Sequence, residues 1–289
     1  MKQDRLIGIA LAMVALTAVS GLALITFFIF KEGAPILFRA GLREFLFSTD
    51  WSPKDPPVHY GILAMIVGSL AVTIGAVIVG VGLGLGCAIV LTQFCPRQVV
   101  SILKPAIELL AGIPSVVYGF IGMVVLVPFI MDHFGGRGQS ILAASVVLGI
   151  MVLPTITSIS VDALQAVPRP YYEGSIALGA TKWQTTRLVM LKAARSGIVA
   201  AVILGMGRAI GETMAVVMVA GNSVQLPHGI LDPVRTLTAT IALEYGYAET
   251  NHLQALFAVG VVLFVVIMVL NTIAMTFSRR QAKRRTGRC

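Results

Sequence analysis

Residues 62–91 read ILAMIVGSLAVTIGAVIVGVGLGLGCAIVL, which is 30 residues without a charged side chain. A helix needs about 20 such residues to cross the hydrocarbon core of a bilayer. Because the apolar residues are continuous and do not alternate with polar ones, the run predicts a helix and not a transmembrane strand. Similar runs, with no more than two charges each, occupy residues 6–30, 105–130, 141–161, 197–221 and 253–277. The sequence therefore predicts an all-α integral membrane protein with six transmembrane helices.

The composition excludes a water-soluble enzyme. Hydrophobic residues make up 57% of the chain and charged residues only 12%, against about 25% charged residues in a soluble domain. No nucleotide-binding loop of the form GxxxxGK[ST] occurs in the sequence, so the chain is not expected to bind ATP itself. Its four histidines fall singly in the predicted outer loops. We therefore expect neither a metal site nor a set of catalytic residues.

Basic residues predict the orientation of the helices. Lysine and arginine total 15 in the segments that would share one side of the membrane and six in the segments on the other side. The first set comprises the termini and the loops 92–104 and 162–196, and the second comprises the loops 31–61, 131–140 and 222–252. Cytoplasmic loops carry the excess of positive charge, so both termini are predicted to be cytoplasmic in a multi-pass protein of the cell inner membrane.

Three regions are predicted along the chain. Residues 1–60 form an N-terminal anchor helix and the first outer loop, residues 61–277 form a core with five transmembrane helices, and residues 278–289 form a basic cytoplasmic tail. The tail contains six lysine and arginine residues. Directly after an apolar span, such a cluster favours contact with anionic membrane lipid over contact with nucleic acid.

The core contains a long cytoplasmic connection, residues 162–196. A short helix is predicted at 171–178 and ends at Gly179. Thr181 and Gln184 have the spacing of a capping box, which predicts that a second helix follows. Two short helices joined at a glycine would form a rigid projection outside the membrane.

The apolar run at 197–221 contains the two charges that are most informative about function. Arg208 and Glu212 are four residues apart, so they are predicted to lie on one face of a helix. Each charge near the bilayer centre costs about 2.5–3.5 kcal/mol on insertion scales, which favours a functional explanation. A static ion pair between the two side chains is the alternative.

We expect Arg208 to line a water-filled path, because a guanidinium binds two oxygens of an oxyanion at once and a lysine does not. Glu212 would hold Arg208 when no anion is present and would accept a hydrogen bond from a protonated phosphate oxygen. Sulfate carries no such proton at neutral pH. With two neutral donors added, the predicted substrate-pathway residues are Arg208, Glu212, Thr213 and Asn222.

Glycine and proline are predicted to interrupt two further spans, at Gly112 and Pro114 in the third and at Gly149 and Pro154 in the fourth. Such breaks often line a translocation pathway. They also occur as packing kinks, and the sequence leaves both interpretations open. In the second span Gly80, Gly82, Gly84 and Gly86 are expected to let helices approach one another closely.

The connection at 162–196 resembles the EAA loop of ABC importer permeases. The residues that carry the resemblance are Glu173, Gly174 and Ser175, then Gly179 and Val189-Met190-Leu191. Gly174 and Ser175 stand where that family usually has alanines. The resemblance implies the type I ABC importer permease fold, in which this loop forms a coupling helix that docks on a separate ATPase subunit. Glu173, Gly174, Ser175 and Gly179 would then be the ATPase-coupling residues.

A second resemblance covers about residues 60–277. The segments 205–222, GMGRAIGETMAVVMVAGN, and 112–119, GIPSVVYG, are similar to PstC-type permeases of phosphate-specific ABC importers. This resemblance implies a heterodimer with a homologous PstA-type permease, two ATPase subunits that bind ATP and Mg²⁺, and an extracytoplasmic phosphate-binding protein. That protein would dock on the outer loops 30–61 and 222–252. The substrate would be inorganic phosphate, and Arg208 and Glu212 would matter for its transport.

Three alternatives stay open. The importer could carry another oxyanion, molybdate or sulfate. A membrane-embedded enzyme that processes phosphate compounds could use the same two charges. A passive anion channel would conduct without ATP and would need no coupling loop.

Overall fold

The computed structural model describes the backbone of residues 2–54 and 56–286, and the side chains of residues 7–54, 56–96, 98–273 and 275–276. The basic tail predicted at 278–289 lies outside the described side chains. The helices in the described part are α1 (Lys2–Ala40), α2 (Leu42–Phe47), α3 (Leu63–Ile89), α4 (Arg97–Ala111), α5 (Ser115–Ile121), α6 (Val127–Phe134), α7 (Ile141–Gln165), α8 (Arg169–Ala177), α9 (Lys182–Gln184), α10 (Leu191–Ala193), α11 (Arg195–Ile210), α12 (Met214–Val219), α13 (Leu237–Glu244) and α14 (Thr250–Thr286).

Shorter elements connect or extend these helices. Strands β1 (Trp51–Ser52) and β2 (His59–Tyr60) pair as an antiparallel hairpin. Three π-helical turns extend α3, join α5 to α6 and join α9 to α10: Val90–Phe94, Gly122–Leu126 and Thr185–Met190. A 3₁₀ turn, Tyr245–Tyr247, follows α13.

Five helical runs in the described part of the chain are long and apolar enough to cross a bilayer. They are Ile7–Ala40, Leu63–Phe94, Ser115–Phe134, Ile141–Gln165 and Thr250–Ile273. Most large apolar side chains of α1 are exposed, as expected where lipid is the solvent. The prediction of an all-α membrane protein is confirmed, but two of the six predicted spans are built differently.

The third span begins later than predicted. The apolar run at 105–130 contributes its first residues to α4, which ends at Ala111, and the span itself is Ser115–Phe134. Pro114 is extended, with ψ 139°, because proline has no N–H to donate and keeps the preceding residue out of the helical region. The interruption predicted at Gly112 and Pro114 is therefore confirmed.

The interruption predicted in the fourth span is wrong. α7 runs without a break from Ile141 to Gln165 although it contains Pro154. Gly149 serves close packing instead, since a Cβ at this position would lie 2.6 Å from the Cβ of Val79 in α3. A proline in a buried transmembrane helix is tolerated when neighbouring elements satisfy the freed backbone group.

The fifth predicted span, 197–221, is not one helix. α11 ends at Ile210, three residues that are not helical follow, and α12 begins at Met214. The helical period of about 3.6 residues relates two side chains only where the helix continues through both of them. Arg208 and Glu212 therefore do not share a helix face, and this prediction is wrong.

α3, α7 and α11 pack against one another at the centre of the structure. α7 is the most enclosed of the spans in the described residues, with 67% of its most apolar stretch buried. Gly80 and Gly84 of α3 face it, because added Cβ atoms would lie 2.6 Å from Val152 and 3.1 Å from Ile156. The prediction that glycines allow close packing is confirmed for these two residues. It does not hold within this chain for Gly82 and Gly86, where an added Cβ would meet no atom within 4 Å.

The connection after α12 folds back onto the end of α12 and onto α3 and α14. The N–H of Val234 donates to the carbonyl of Ala220 at 2.9 Å, and α13 packs against α14, α12 and α3. The hairpin β1–β2 and helix α2 lie at the same end of the molecule, where Phe45, Leu237 and Val259 share one buried apolar cluster. The loops predicted to be outer thus form a packed layer over one end of the spans.

Candidate functional site

Arg208 lies in the last turn of α11, directly before the helix break at 211–213. Its Nη1 donates a hydrogen bond to Oγ1 of Thr155 in α7, at 3.3 Å. The arginine is half-buried, and among the described residues no carboxylate lies within 4.0 Å of its guanidinium. A guanidinium carries several N–H donors, so most of its hydrogen-bonding capacity is left for water or an anion.

Glu212 lies in the break itself. One oxygen of its carboxylate accepts a hydrogen bond from the N–H of Ala215, in the first turn of α12, at 3.3 Å. Its main-chain carbonyl accepts a hydrogen bond from Oγ1 of Thr238, in α13, at 2.9 Å. The expected direct pair between Arg208 and Glu212 is therefore wrong for this structure, because each side chain has a different partner.

Thr213 and Asn222 lie at opposite ends of α12. Oγ1 of Thr213 donates to the carbonyl of Gly211 at 3.4 Å, so Thr213 belongs to the break. Asn222 follows the other end, where its Nδ2 donates to the carbonyl of Val217 at 2.8 Å. The structure thus places Thr213 next to Glu212 in the break and Asn222 in a cap beyond the far end of α12.

No sequence pattern predicts a role for Thr155. This residue is half-buried in α7, and it is the described hydrogen-bond partner of the Arg208 guanidinium. The two residues are 53 positions apart, and no spacing rule connects them. Only the packing of α11 on α7 brings them together.

A second polar cluster lies beneath the outer loops. Glu244, at the end of α13, is 5% exposed and accepts hydrogen bonds from Arg235 Nη1 at 2.6 Å and Trp51 Nε1 at 3.0 Å. Nε2 of His252 lies 2.8 Å from the second carboxylate oxygen. We call these four residues the outer cluster. His252 has no neighbouring ligand in the sequence, and its contact with Glu244 becomes visible only in the folded chain.

α8 has the form expected of the first helix in the connection 162–196. None of its nine residues is buried, and a Cβ at Gly174 would meet no atom within 4 Å. Glu173 is exposed. Gly179 has φ 82°, the left-handed conformation that commonly follows a helix end. The predicted short helix with its terminal glycine is confirmed.

The second helix begins with the predicted capping box. The N–H of Gln184 donates to Oγ1 of Thr181 at 3.3 Å, and the N–H of Thr181 donates to Oε1 of Gln184 at 2.8 Å. Oγ of Ser175 in α8 lies 3.0 Å from Oγ1 of Thr185. The run Lys182–Ala193 then meets α11 at an angle of 72°. α8 is therefore fastened to the segment that leads directly into the helix of Arg208.

The projection formed by α8, α9 and the turn between them exposes large apolar side chains. Leu178 is 90% exposed, and Tyr171 and Trp183 are more than half exposed. In a connection predicted to lie outside the lipid, a group of such side chains is typical of a surface that contacts another protein. Ser175 joins this surface to the second helix through Thr185. Gly179 lies in its exposed turn, and Glu173 and Gly174 are exposed on α8.

Comparisons with known proteins place this geometry among transport permeases. The sequence profile of the family described as binding-protein-dependent transport system inner membrane component matches residues 78–287. The probable ABC transporter permease protein YqgH of Bacillus subtilis (strain 168) is 44% identical over 272 residues, which cover 92% of this chain and 88% of the relative. The phosphate transport system permease protein PstC of Xylella fastidiosa (strain 9a5c) is 38% identical over 261 residues, 83% of this chain and 80% of the relative.

A solved structure has the same fold. It is a chain of the MetNI methionine ABC transporter in an inward-facing conformation, which superposes with a TM-score of 0.61 at 22% sequence identity. The superposition covers 79% of this chain and 99% of that one. The fold is therefore that of a type I ABC importer permease, as the EAA-like loop predicted.

Proposed function

The chain belongs to the family of binding-protein-dependent transport system inner membrane components, and on that premise we propose that it is the permease subunit of an ATP-driven importer of inorganic phosphate. The observation that carries the proposal is the environment of Arg208. Its described hydrogen-bond partner is the neutral hydroxyl of Thr155, and a cation in a membrane span needs compensation. Relatives named as phosphate transport permeases, such as PstC of Xylella fastidiosa, support phosphate as the anion.

The break at 211–213 supplies the chemistry that phosphate requires. The guanidinium of Arg208 binds two phosphate oxygens at once. Glu212 uses one carboxylate oxygen for the N–H of Ala215, and its other oxygen, without a partner among the described residues, accepts a hydrogen bond from a protonated phosphate oxygen. Sulfate and molybdate lack that proton at neutral pH and leave two negative groups facing each other. Thr213 adds a hydroxyl donor, while Asn222 acts in the cap of α12.

The coupling surface is α8 and the turn that follows it. Glu173, Gly174, Ser175 and Gly179 form the part that docks on one of two ATPase subunits, which hold ATP and Mg²⁺ and perform the hydrolysis. Because Ser175 is fastened to Thr185, movement of α8 is passed through the 72° bend to α11. Closure of the ATPase pair thereby changes the surroundings of Arg208.

The remaining partners follow from the same assignment. A homologous PstA-type permease completes the membrane unit, and a phosphate-binding protein outside the membrane docks on the hairpin β1–β2 and the segment 222–252. Both termini and α8 lie on the cytoplasmic side of the inner membrane, in agreement with the distribution of lysine and arginine.

Reconstitution of the complete complex in lipid vesicles tests the proposal. With phosphate-loaded binding protein and ATP, radiolabelled phosphate should accumulate against its gradient, and excess sulfate or molybdate should not compete. Uptake that proceeds without ATP would favour the channel, preferred accumulation of molybdate or sulfate would favour the other importers, and release of phosphate from lipid would favour the enzyme. Each of these results contradicts the proposal.

The role of α8 is tested by reversing its exposed charge. We expect Glu173→Lys to leave ATP hydrolysis measurable while phosphate uptake falls, because docking no longer transmits movement to α11. Asp132→Lys, which reverses an exposed charge of the predicted outer loop 131–140 and lies outside the proposed docking segments, is the matched control. Equal uptake in the two variants would refute the assignment of α8.

A further inference from the structure

The main-chain carbonyl of Glu212 lies where the absence of a hydrogen bond would cost free energy. At the break between α11 and α12 a carbonyl has no regular helical partner, and the hydrocarbon core offers no hydrogen bonds. Oγ1 of Thr238 satisfies it, at 2.9 Å, and Thr238 is itself 8% exposed. A side chain from the segment 222–252 therefore supplies the hydrogen bond that the backbone of the proposed phosphate site lacks.

The first turn of α13 is fixed independently of Glu212. Oγ1 of Thr236 caps the helix by accepting from the N–H of Ala239 at 3.2 Å. The N–H of Leu237 donates to Oγ of Ser69, a buried residue of α3, at 2.9 Å. The backbone next to Thr238 is consequently fixed against α3, and the Thr238 hydroxyl contacts the break from this fixed position.

The other end of α13 is fixed by the outer cluster. Glu244 ends the helix and is bonded to Trp51 of the hairpin and to Arg235. Nε of Arg235 also donates to the carbonyl of Asn222, beyond α12, at 3.0 Å. α13 is thus a helix of eight residues that connects the outer cluster, through Glu244, to the break, through Thr238.

We propose that Thr238 is a positioning residue for phosphate transfer. It holds the Glu212 peptide, and with it the Glu212 carboxylate, in the orientation in which Glu212 and Arg208 meet the anion. Thr238 acts through Glu212 and does not itself touch the phosphate. This inference rests on the proposed function of the break, and it makes the geometry of the phosphate site depend on the outer loops through α13.

The test compares two identical substitutions in the same helix. Thr238→Val keeps the shape of the side chain and removes the donor to Glu212, together with the 3.0 Å contact between the hydroxyls of Thr236 and Thr238. Thr240→Val does the same at a fully buried position whose hydroxyl lies 3.0 Å from the carbonyl of Thr236 and 3.2 Å from Sδ of Met65 in α3, neither of which belongs to the break. In the reconstituted complex we expect the maximal rate of phosphate uptake to fall by about tenfold for the first variant, the loss typical of one hydrogen bond to a buried group. The second variant should stay within about twofold of wild type.

Two further readouts separate positioning from general damage. The concentration of phosphate-loaded binding protein that gives half-maximal uptake should not change in Thr238→Val, because α13 keeps both of its anchors. Hydrogen–deuterium exchange at the amide of Ala215, which is bonded to the Glu212 carboxylate, should be faster in Thr238→Val and unchanged in Thr240→Val. An unchanged exchange rate or an unchanged maximal uptake rate in Thr238→Val overturns the proposal.

A further pair of variants applies if the valine protein does not assemble. Thr238→Ser keeps a hydroxyl and should transport like wild type, while Thr238→Ala should not. Equal transport by these two variants overturns the proposal. A wild-type complex that takes up no phosphate refutes the proposed function, and with it the transport role of Thr238, whereas the exchange measurement reports on the contact to Glu212 without phosphate.

Discussion

Two arginines of this chain lie in different electrostatic surroundings. Nη1 of Arg235 lies 2.6 Å from the carboxylate of Glu244, which is shared with Trp51 and His252. Nη1 of Arg208 lies 3.3 Å from a threonine hydroxyl, with no carboxylate of the described residues within ion-pair distance. Arg235 is therefore neutralised by the fold, and Arg208 is not.

The presence of a carboxylate partner indicates that Arg235 is the structural arginine. A buried charge that is paired and hydrogen-bonded holds elements together, and its removal is felt as instability. A half-buried charge without a counter-ion in the fold is compensated by water or a bound anion. Removal of that charge weakens binding of the anion. Substitutions in the outer cluster should therefore lower thermal stability. Substitutions of Arg208 and of the break at 211–213 should lower phosphate transport.

The largest effect is expected for Arg208→Ala. Hydrogen bonds to charged groups contribute about 1.5–3 kcal/mol each, so loss of two bonds to phosphate should lower uptake by at least about a hundredfold. Purification of the intact complex and measurement of ATP-dependent uptake provide the test. Arg208→Lys keeps the charge without the planar fork and should retain intermediate uptake. Normal uptake with alanine at this position would remove the distinction between the two arginines.

The next effect concerns stability, and it is expected for Glu244→Gln. Removal of one partner of a buried pair costs about 3–5 kcal/mol, a range that is an upper bound here because the Arg235 side chain is 20% exposed. The midpoint of thermal unfolding in detergent should fall by several degrees. Glu249→Gln, at an exposed position, is the control. Identical midpoints for the two variants would show that the outer cluster contributes nothing to stability.

A smaller effect on transport is expected for Thr155→Val. The hydrogen bond that it removes from Arg208 is long, at 3.3 Å, and orients the guanidinium without binding phosphate. Uptake should fall a few-fold, while Thr155→Ser should behave like wild type because the hydroxyl is retained. Kinetics of uptake at varied phosphate-loaded binding protein measure this change. A loss as large as that of Arg208→Ala would make Thr155 part of the anion site.

The smallest effect is expected at an exposed carboxylate of the outer segment. Asp232 accepts hydrogen bonds from the N–H groups of His228 and Gly229 at 2.7 and 2.8 Å, and these bonds lower its pKa. A lowered pKa in the folded state adds stability that is present above the unfolded pKa and is lost as pH falls through the folded value. Asp232→Asn should therefore lower the thermal midpoint slightly at pH 7 and not at all in strong acid. A difference that grows as pH falls would contradict this account.

Much of the fold was predictable from the chain, because its signals are local. The continuous apolar runs predicted the spans, and Thr181 with Gln184 predicted a capping box that the structure contains. Gly179 predicted the end of α8. The family relationships predicted from the segments 205–222 and 112–119 agree with the relatives found.

The errors have one cause, which is that periodicity does not detect a helix break or a distant partner. The run 197–221 stays apolar through the break at 211–213, so Arg208 and Glu212 were placed on one face. Pro154 was given a break that the packed surroundings of α7 do not permit. In the outer cluster the partners of Glu244 lie 8 to 193 positions from it in the sequence, so no local pattern predicts the cluster.

The sequence by itself determined that this chain is a helical membrane protein, and it predicted that an arginine and a glutamate lie within an apolar span. Hydrophobicity and helix capping act over a few residues, so they can be read from neighbours in the chain. The tertiary structure alone decided which arginine is neutralised and which is left open. Electrostatic compensation depends on distances of a few ångströms between segments far apart in sequence, and only the packing of α7, α11 and α13 sets those distances.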